Sequence, residues 1–358
     1  MTELKNKVLI LYPHRGDTQS LMLYEELLKL GMEVLYLPFR CDDEETCSRG
    51  FCFDNGEIRY LGHDLRDLKA VFIRALAFSV PANLPAYLSR SEQAIWRAKY
   101  IQENIRFSSL FSMLNILKHR GVLIINHPRA YFQHNSKAQF FSLLRNKGFS
   151  VPGLISTNDH QSARSFCKET TCVSKSAYGV GATRAVNEES LFPGCGLNKT
   201  PALFQKKVNG DTIRIHTVGS RAVLSLKIHS EGVDSRSDTA GFSVIELPAE
   251  IEHEIGTVNN MYESYYSAWD VMMDEKGRFH LLDFNPGPYI GWTGVYFTRF
   301  VMSALARFIR IYNDGKSIQQ NSASMKIPDP EFTNVWVNCQ SLVHDYTPEY
   351  RKGLRIRI

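Results

Sequence analysis

The sequence predicts an α/β protein that opens on a parallel sheet and continues as a mixed, α+β region. Three observations predict it. A buried-type strand at Lys7–Leu11, a helix from Thr18 to Leu30 and a second strand at Glu33–Phe39 make a β-α-β start, which needs a crossover and hence a parallel sheet. A long helical stretch, Ser89–Lys118, leads straight into another strand, Val122–Asn126. From Phe204 to Leu247 the pattern is β-rich, and a helix at Glu250–Tyr266 and a hairpin follow it.

Each element has a local reason. Thr18 is placed to cap the first helix, Leu21, Leu23, Leu27, Leu28 and Leu30 supply its apolar faces, and Gly31 stops it. Phe51–Phe53 and Glu57–Tyr60 flank Asp54-Asn55-Gly56, a hairpin turn signal. Ala70–Arg74 reads as a third core strand. The long helix has a candidate break near Arg106 and ends at Gly121. His134–Lys147 reads as one helix stopped by Gly148, and Val151-Pro152-Gly153 opens a new unit. Ser162–Glu169 is a short helix and Cys172–Lys175 a strand. Phe297–Tyr312 carries Phe297, Val301, Ala304, Leu305, Phe308 and Tyr312 on one face, the spacing of an amphipathic helix. Gln319–Ser324 reads as a linker to a basic tail. No repeat or low-complexity segment interrupts the chain.

At 358 residues the chain is long enough for two or three packed units. Its 44% hydrophobic and 22% charged content is that of a soluble globular protein, and no apolar run is long enough to span a bilayer. Met1 to Lys7 lacks the apolar core of an export signal, so a cytoplasmic location is expected. A net charge of +5 is too small and too dispersed for a nucleic-acid partner. The seven cysteines are odd in number and make no disulfide framework. Cys41, Cys47 and Cys52, with His63 beyond, match no zinc pattern of paired close ligands and read as reduced thiols.

The chemistry concentrates in Asp283-Phe284-Asn285-Pro286-Gly287-Pro288, read with Asp270. Ala268–Met273 and Arg278–Phe284 read as strands around a turn at Asp274-Glu275-Lys276-Gly277. With a loop of two or four residues, Asp270 faces Leu281, and Leu281, Asp283 and Asn285 share that face because side chains alternate along a strand. Two carboxylates and an amide then converge as hard oxygen ligands suited to magnesium. A three-residue loop moves the register by one and scatters them. An ordinary hairpin with solvated acids would use the same residues.

Three other signals are weaker alone. Lys175-Ser176-Ala177-Tyr178-Gly179-Val180-Gly181 follows a strand, and its glycines let backbone N–H groups approach phosphate. It is neither a Walker A loop nor a dinucleotide fingerprint, and a glycine-rich turn reads the same way. Lys137 lies early in a helix, where solvated lysines are common. Arg214 alternates with Ile213 and Ile215 and so points to the face opposite theirs.

The order of these elements resembles that of the ATP-grasp carboxylate ligases. It is most similar to the branch of glutamate ligases that modify ribosomal protein and of microviridin-type peptide maturases. The resemblance runs from about Val122 to Trp292, with Asn126-His127-Pro128 a weaker likeness at its start. It implies an N-terminal α/β domain over residues 1–130, a central ATP-grasp subdomain with the phosphate loop over 131–200, a C-terminal ATP-grasp subdomain with the metal site over 201–320, and a tail over 321–358. On the resemblance, Lys137 and Lys175 match the lysines that contact ATP phosphates and the adenine edge. Gly179 and Gly181 match the phosphate-covering loop. Gln205, Lys206, Lys207 and Val208 match the hinge whose backbone reads adenine, and Asp211 follows in the same nucleotide-binding stretch. Arg214 matches the arginine at the γ-phosphate, Lys227 and Arg236 fall where basic residues lie near the transferred phosphoryl group, and Asp270, Asp283 and Asn285 match the magnesium ligands. Two residues depart from the pattern. Asp283 stands where glutamate is usual, and Lys206 where the hinge commonly has an acid.

The resemblance implies ATP and Mg2+, with Mn2+ able to replace it, and a carboxylate activated as an acyl-phosphate before an amine or hydroxyl attacks. A peptide substrate, including a ribosomally made precursor, is the first expectation. An amino-acid ligase acting on a small molecule or protein tail is the second, and a nucleotide-binding protein without ligase activity the third. Self-association is expected of such enzymes, although no interface is legible.

Overall fold

The computed structural model describes residues 7–13, 16–39, 50–54, 56–74, 89–168, 171–176, 183–187, 191, 201–229, 240–313 and 335–337. Gly179, Gly181, Arg236, Cys41 and Cys47 lie outside them. The chain divides into two compact units. One comprises Met1–Pro128 with Met302–Asn321, the other Arg129–Val301 with Ser322–Ile358.

The first unit is built on β1 (Lys7–Tyr12), β2 (Glu33–Pro38), β6 (Leu68–Ile73) and β7 (Leu123–Ile125), a parallel sheet in the order β2-β1-β6-β7. Between β2 and β6 lies a small antiparallel sheet of β3 (Phe51–Asp54), β4 (Glu57–Tyr60) and β5 (His63–Asp64). The helix Thr18–Lys29 is capped by Asp17, one residue before the expected cap: its Oδ1 accepts from Ser20 N–H at 2.7 Å. Asp17 has two uses, because its carboxylate also faces the buried Arg74 at 3.3 Å. The helix Arg90–His119 runs unbroken past Arg106 and starts in a capping box between Ser89 and Glu92. Its buried residues are Leu110, Met113, Leu114 and Leu117, which join Leu9, Val71 and Ile124 in the core.

The second unit holds two antiparallel sheets. β8 (Leu154–Thr157), β9 (Cys172–Ser176), β10 (Arg184–Val186) and β11 (Ala202–Lys206) lie in the order β10-β9-β11-β8. β12 (Gly210–Val218), β13 (Arg221–His229), β14 (Ala240–Val244), β15 (Tyr266–Asp274), β16 (Phe279–Asn285) and β17 (Val335–Val337) lie in the order β16-β15-β12-β13-β14-β17. Part of the presumed tail is therefore a strand of this sheet. The expected helix over His134–Lys147 is two helices, Pro128–Asn135 and Lys137–Asn146, that meet at Ser136. The helix expected to reach Tyr266 spans Ala249–Met261, and Tyr266 opens β15.

One face of the six-stranded sheet is apolar. Ile213, Ile215, Trp269, Val271, Leu281 and Phe284 pack there against Phe140, Phe141 and Leu144 of one helix and Ile255 and Val258 of another. A buried polar network fixes the second helix. Asn259 donates to Thr217 Oγ1 at 2.9 Å and accepts from Ser267 Oγ at 3.1 Å and Trp269 Nε1 at 3.2 Å. Buried polar groups satisfied in this way cost little and hold one arrangement. Among the described residues no helix is long and apolar enough to cross a membrane.

Candidate active site

The opposite face of the six-stranded sheet carries the charged groups. Arg214 on β12, Asp270 on β15 and Asp283 on β16 are direct cross-strand neighbours. The next row on that face is His216, Ala268 and Asn285. The three proposed metal ligands thus share a face, but the hairpin reaches this by another route than a simple register. The loop has three residues, 275–277, closed by Asp274 N–H to Arg278 O at 2.9 Å with Gly277 at φ 75°. It pairs Val271 with Leu281 and, continued, would place Asp270 opposite Leu282. A β-bulge between Asp270 and Val271 adds one residue on β16 and brings Asp283 opposite Asp270. The expected register, with Asp270 facing Leu281, is corrected, and the convergence survives because two single-residue shifts add.

A second bulge acts in the other sense. The turn at Gly219-Ser220 pairs Val218 with Arg221, and that register continued would set Lys227 opposite Thr212, on the face of Arg214. The irregularity between His216 and Thr217 pairs Lys227 with Ile213 instead. Lys227 therefore lies on the other face, in an ion pair with Asp211 at 2.7 Å. Neither Lys227 nor Asp211 is brought to the Arg214 row.

Cations close the site from the edge. β16 is the outer strand, so its outward backbone groups are free of the ladder. Lys175 on β9 donates to Leu282 O at 3.2 Å and to Gln205 Oε1 at 2.9 Å. His134 Nδ1 donates to Phe284 O at 2.6 Å, so that nitrogen carries the proton. Lys137, first residue of its helix and 5% exposed, donates to Asp283 Oδ2 at 2.5 Å. Arg214 donates through Nη1 to Asp270 Oδ1 at 2.6 Å. Asp283 Oδ1 accepts from Phe284 N–H at 2.8 Å, and Asn285 Oδ1 from Gly287 N–H at 3.0 Å.

Burial pushes the Asp283 carboxyl up, and the charges of Lys137, Lys175 and His134, with the Lys137 hydrogen bond, outweigh it. The carboxyl is held below its ordinary value. His216 is driven well below its own by burial and then by Arg214, so it is neutral, and both ring nitrogens lack a hydrogen-bond partner among the described residues.

The stretch expected to act as the hinge, Gln205 to Val208, covers the end of β11 and the start of its link to β12. Lys206 N–H is bonded to Gly153 O at 2.8 Å and Lys207 N–H to Thr171 O at 3.0 Å. The Lys206 ammonium lies 5.9 Å from the centre of the Phe166 ring, so its side chain is drawn onto Phe166. Gln205 is buried, with its side chain committed to Lys175, and Val208 is half-buried. Sequence reasoning missed His134, assigned only as a helix start, and the side-chain role of Gln205. Gln205 lies five residues before the bend at Gly210, but no spacing rule marks His134.

Oxygen donors on one face, two of them carboxylates, suit a hard divalent cation. Among the described residues no group of three or more His, Cys, Asp or Glu side chains could hold a metal; the third oxygen donor on this face is the Asn285 amide.

No family model matches the sequence, and no curated protein matches it. Solved structures do. The ATP-grasp ligase PsnB, in a complex with a variant of its minimal precursor, Mg and ADP, is 21% identical with a TM-score of 0.73 over 86% of this chain and 99% of that one. The macrocyclase MdnC of Microcystis aeruginosa, bound with the precursor peptide MdnA, is 18% identical with a TM-score of 0.67 over 85% of this chain and 99% of that one. A RiPP-associated ATP-grasp ligase of Chryseobacterium gregarium, in complex with ADP and a leader and core peptide, is 21% identical with a TM-score of 0.63 over 85% of this chain and 96% of that one. The chain has the ATP-grasp fold.

Proposed function

We propose that the protein is an ATP-dependent carboxylate–amine ligase that acts on a peptide. The observation that carries this reading is the meeting of Arg214, Asp270, Asp283 and Asn285 on one face of the sheet with Lys137 and Lys175 at its edge strand. A module that only binds nucleotide has no use for two carboxylates and an amide beside three cations. The precursor complexes of the structural neighbours support a peptide as the substrate.

In this reading a substrate carboxylate oxygen attacks the γ-phosphorus of ATP, the bond to the bridging oxygen breaks and ADP leaves. The amine nitrogen then attacks the acyl carbon, phosphate departs and the nitrogen loses a proton, giving an amide. A hydroxyl acceptor would give an ester. The protein positions and neutralises charge and supplies no nucleophile. Lys137 and Lys175 face the phosphates, and Arg214 is placed for the charge that develops on the transferred group. Asp270, Asp283 and Asn285 would hold Mg2+, which when bound would neutralise charge on the phosphate groups. Gly179, Gly181 and Arg236 remain part of the proposal through the resemblance alone, as does self-association, and a cytoplasmic location remains part of it as well.

The test is phosphate release from ATP with a panel of peptide and amino-acid acceptors. Asp283→Ala is expected to abolish turnover in a folded protein. Full turnover in that variant would remove Asp283 from the site. Turnover with free amino acids and none with peptides would favour the second substrate class.

A further inference from the structure

We infer that the ion pairs of Lys137 with Asp283 and of Arg214 with Asp270 compete with a metal for these carboxylates, so that metal and nucleotide bind cooperatively by exchange of partners. The inference rests on the nucleotide-site reading above and adds the order in which its charges are satisfied.

Each of the three ligand residues already has a hydrogen-bond partner. Asp283 gives Oδ2 to Lys137 at 2.5 Å and Oδ1 to its neighbour's N–H at 2.8 Å. Asp270 gives Oδ1 to Arg214 at 2.6 Å, and Asn285 gives Oδ1 to Gly287 N–H at 3.0 Å. Three cationic side chains, Lys137, Lys175 and Arg214, thus face two carboxylates. A divalent cation entering alone adds charge to a site whose cations already match or exceed its anions. To reach Asp283 it must also detach Lys137, whose side chain is 6% exposed and has little water to turn to. A buried charge stripped of its counter-ion is strongly unfavourable.

A nucleoside triphosphate removes the conflict. Its phosphate oxygens offer partners to Lys137 and Arg214, and to Lys175, which otherwise donates to Gln205 Oε1 and Leu282 O. Asp270 and Asp283 are then released to the metal. Each ligand creates the other's vacancy, and thermodynamic reciprocity makes the coupling equal in both directions.

Mn2+ serves as the probe, followed by water-proton relaxation on the full chain with and without the non-hydrolysable analogue AMP-PNP, and corrected for the Mn2+–AMP-PNP complex in solution. AMP-PNP binding is measured separately in EDTA. Wild-type protein is expected to bind Mn2+ at least about tenfold more tightly with AMP-PNP than without it. Lys137→Met or Arg214→Met is expected to raise nucleotide-free Mn2+ affinity by about tenfold, because a carboxylate is freed. Lys137→Arg keeps a cation in place and is expected to stay near wild type. Equal Mn2+ affinity with and without AMP-PNP, or Met variants no better than wild type at binding Mn2+ alone, overturns the inference while leaving the nucleotide site standing. Wild-type protein that binds no AMP-PNP overturns both. If Lys137→Met fails to fold, Arg214→Met gives the same readout at the other carboxylate.

Discussion

Asp283 has two neighbours that decide its behaviour, Lys137 and its own following amide. Its carboxyl is held below the ordinary value despite burial, so the ionised form is the one the fold favours. A depressed carboxyl contributes stability that is present above the unfolded value, about 3.9, and is lost as pH falls through the lower folded value. Wild type is therefore expected to keep its margin over Asp283→Asn from neutral pH down to about 4 and to lose it below that. Chemical denaturation of both proteins from pH 7 to pH 3 checks this, and a margin that grows on acidification would refute it. Asp283→Ala leaves the Lys137 ammonium buried without its partner and is expected to cost about 3 kcal/mol, read from urea midpoints. Gly210 has a different constraint. At φ 150° a Cβ would lie 2.0 Å from Met273 O. Gly210→Ala is expected to destabilise by more than about 1 kcal/mol, with the loss seen as a lower melting temperature.

Among the elements, the β15–β16 hairpin shows how much the sequence determines. Its two strands and the face of Arg214 follow from alternation, which is a property of the backbone and needs no tertiary information. The turn residues were legible, but the loop length was not: two or four residues were expected and three are found. Asp274-Glu275-Lys276-Gly277 sets an acid to accept from the N–H groups of Lys276 and Arg278, both at 2.9 Å, and a glycine where φ is positive. His280, at 3.1 Å, and Arg278 then hold the Asp274 carboxyl well below its ordinary value. The two bulges were not legible. The one on β16 leaves Leu282 O for Lys175, a residue far away in sequence, so its cause is tertiary. The one on β12–β13 moves Lys227 off the face of Arg214, and nothing in the run Arg214 to Lys227 announces it. Asp274→Ala removes the acceptor that shapes the loop and is expected to lower the melting temperature. It should also reduce phosphate release, since the register beyond the loop determines which residues face Asp270. Unchanged release with lowered stability would show that the bulge alone sets the site.

At the scale of the molecule, each unit has its own core, and the proposed chemistry lies wholly within the second. Most of the resemblance, from Arg129 to Trp292, falls in that second unit. The placement of the site also predicts how the protein responds to its ligands. Mn2+ with AMP-PNP at a hundred times its dissociation constant is expected to stabilise the unit that holds the site by about 2.7 kcal/mol, seen as a rise in the melting temperature. Arg214→Met, tested the same way, should keep less than half of that rise. A rise of equal size in both proteins would place the nucleotide elsewhere.

The outer strand β16 has one more consequence. A bare strand edge is a template on which other chains can add strands and aggregate. Here Leu281 N–H is taken by Ser150 O at 2.8 Å, Leu282 O by Lys175 and Phe284 O by His134. The contacts that gather the site also seal the sheet against foreign strands. Loss of Lys175 should therefore appear as turbidity on storage as well as in catalysis.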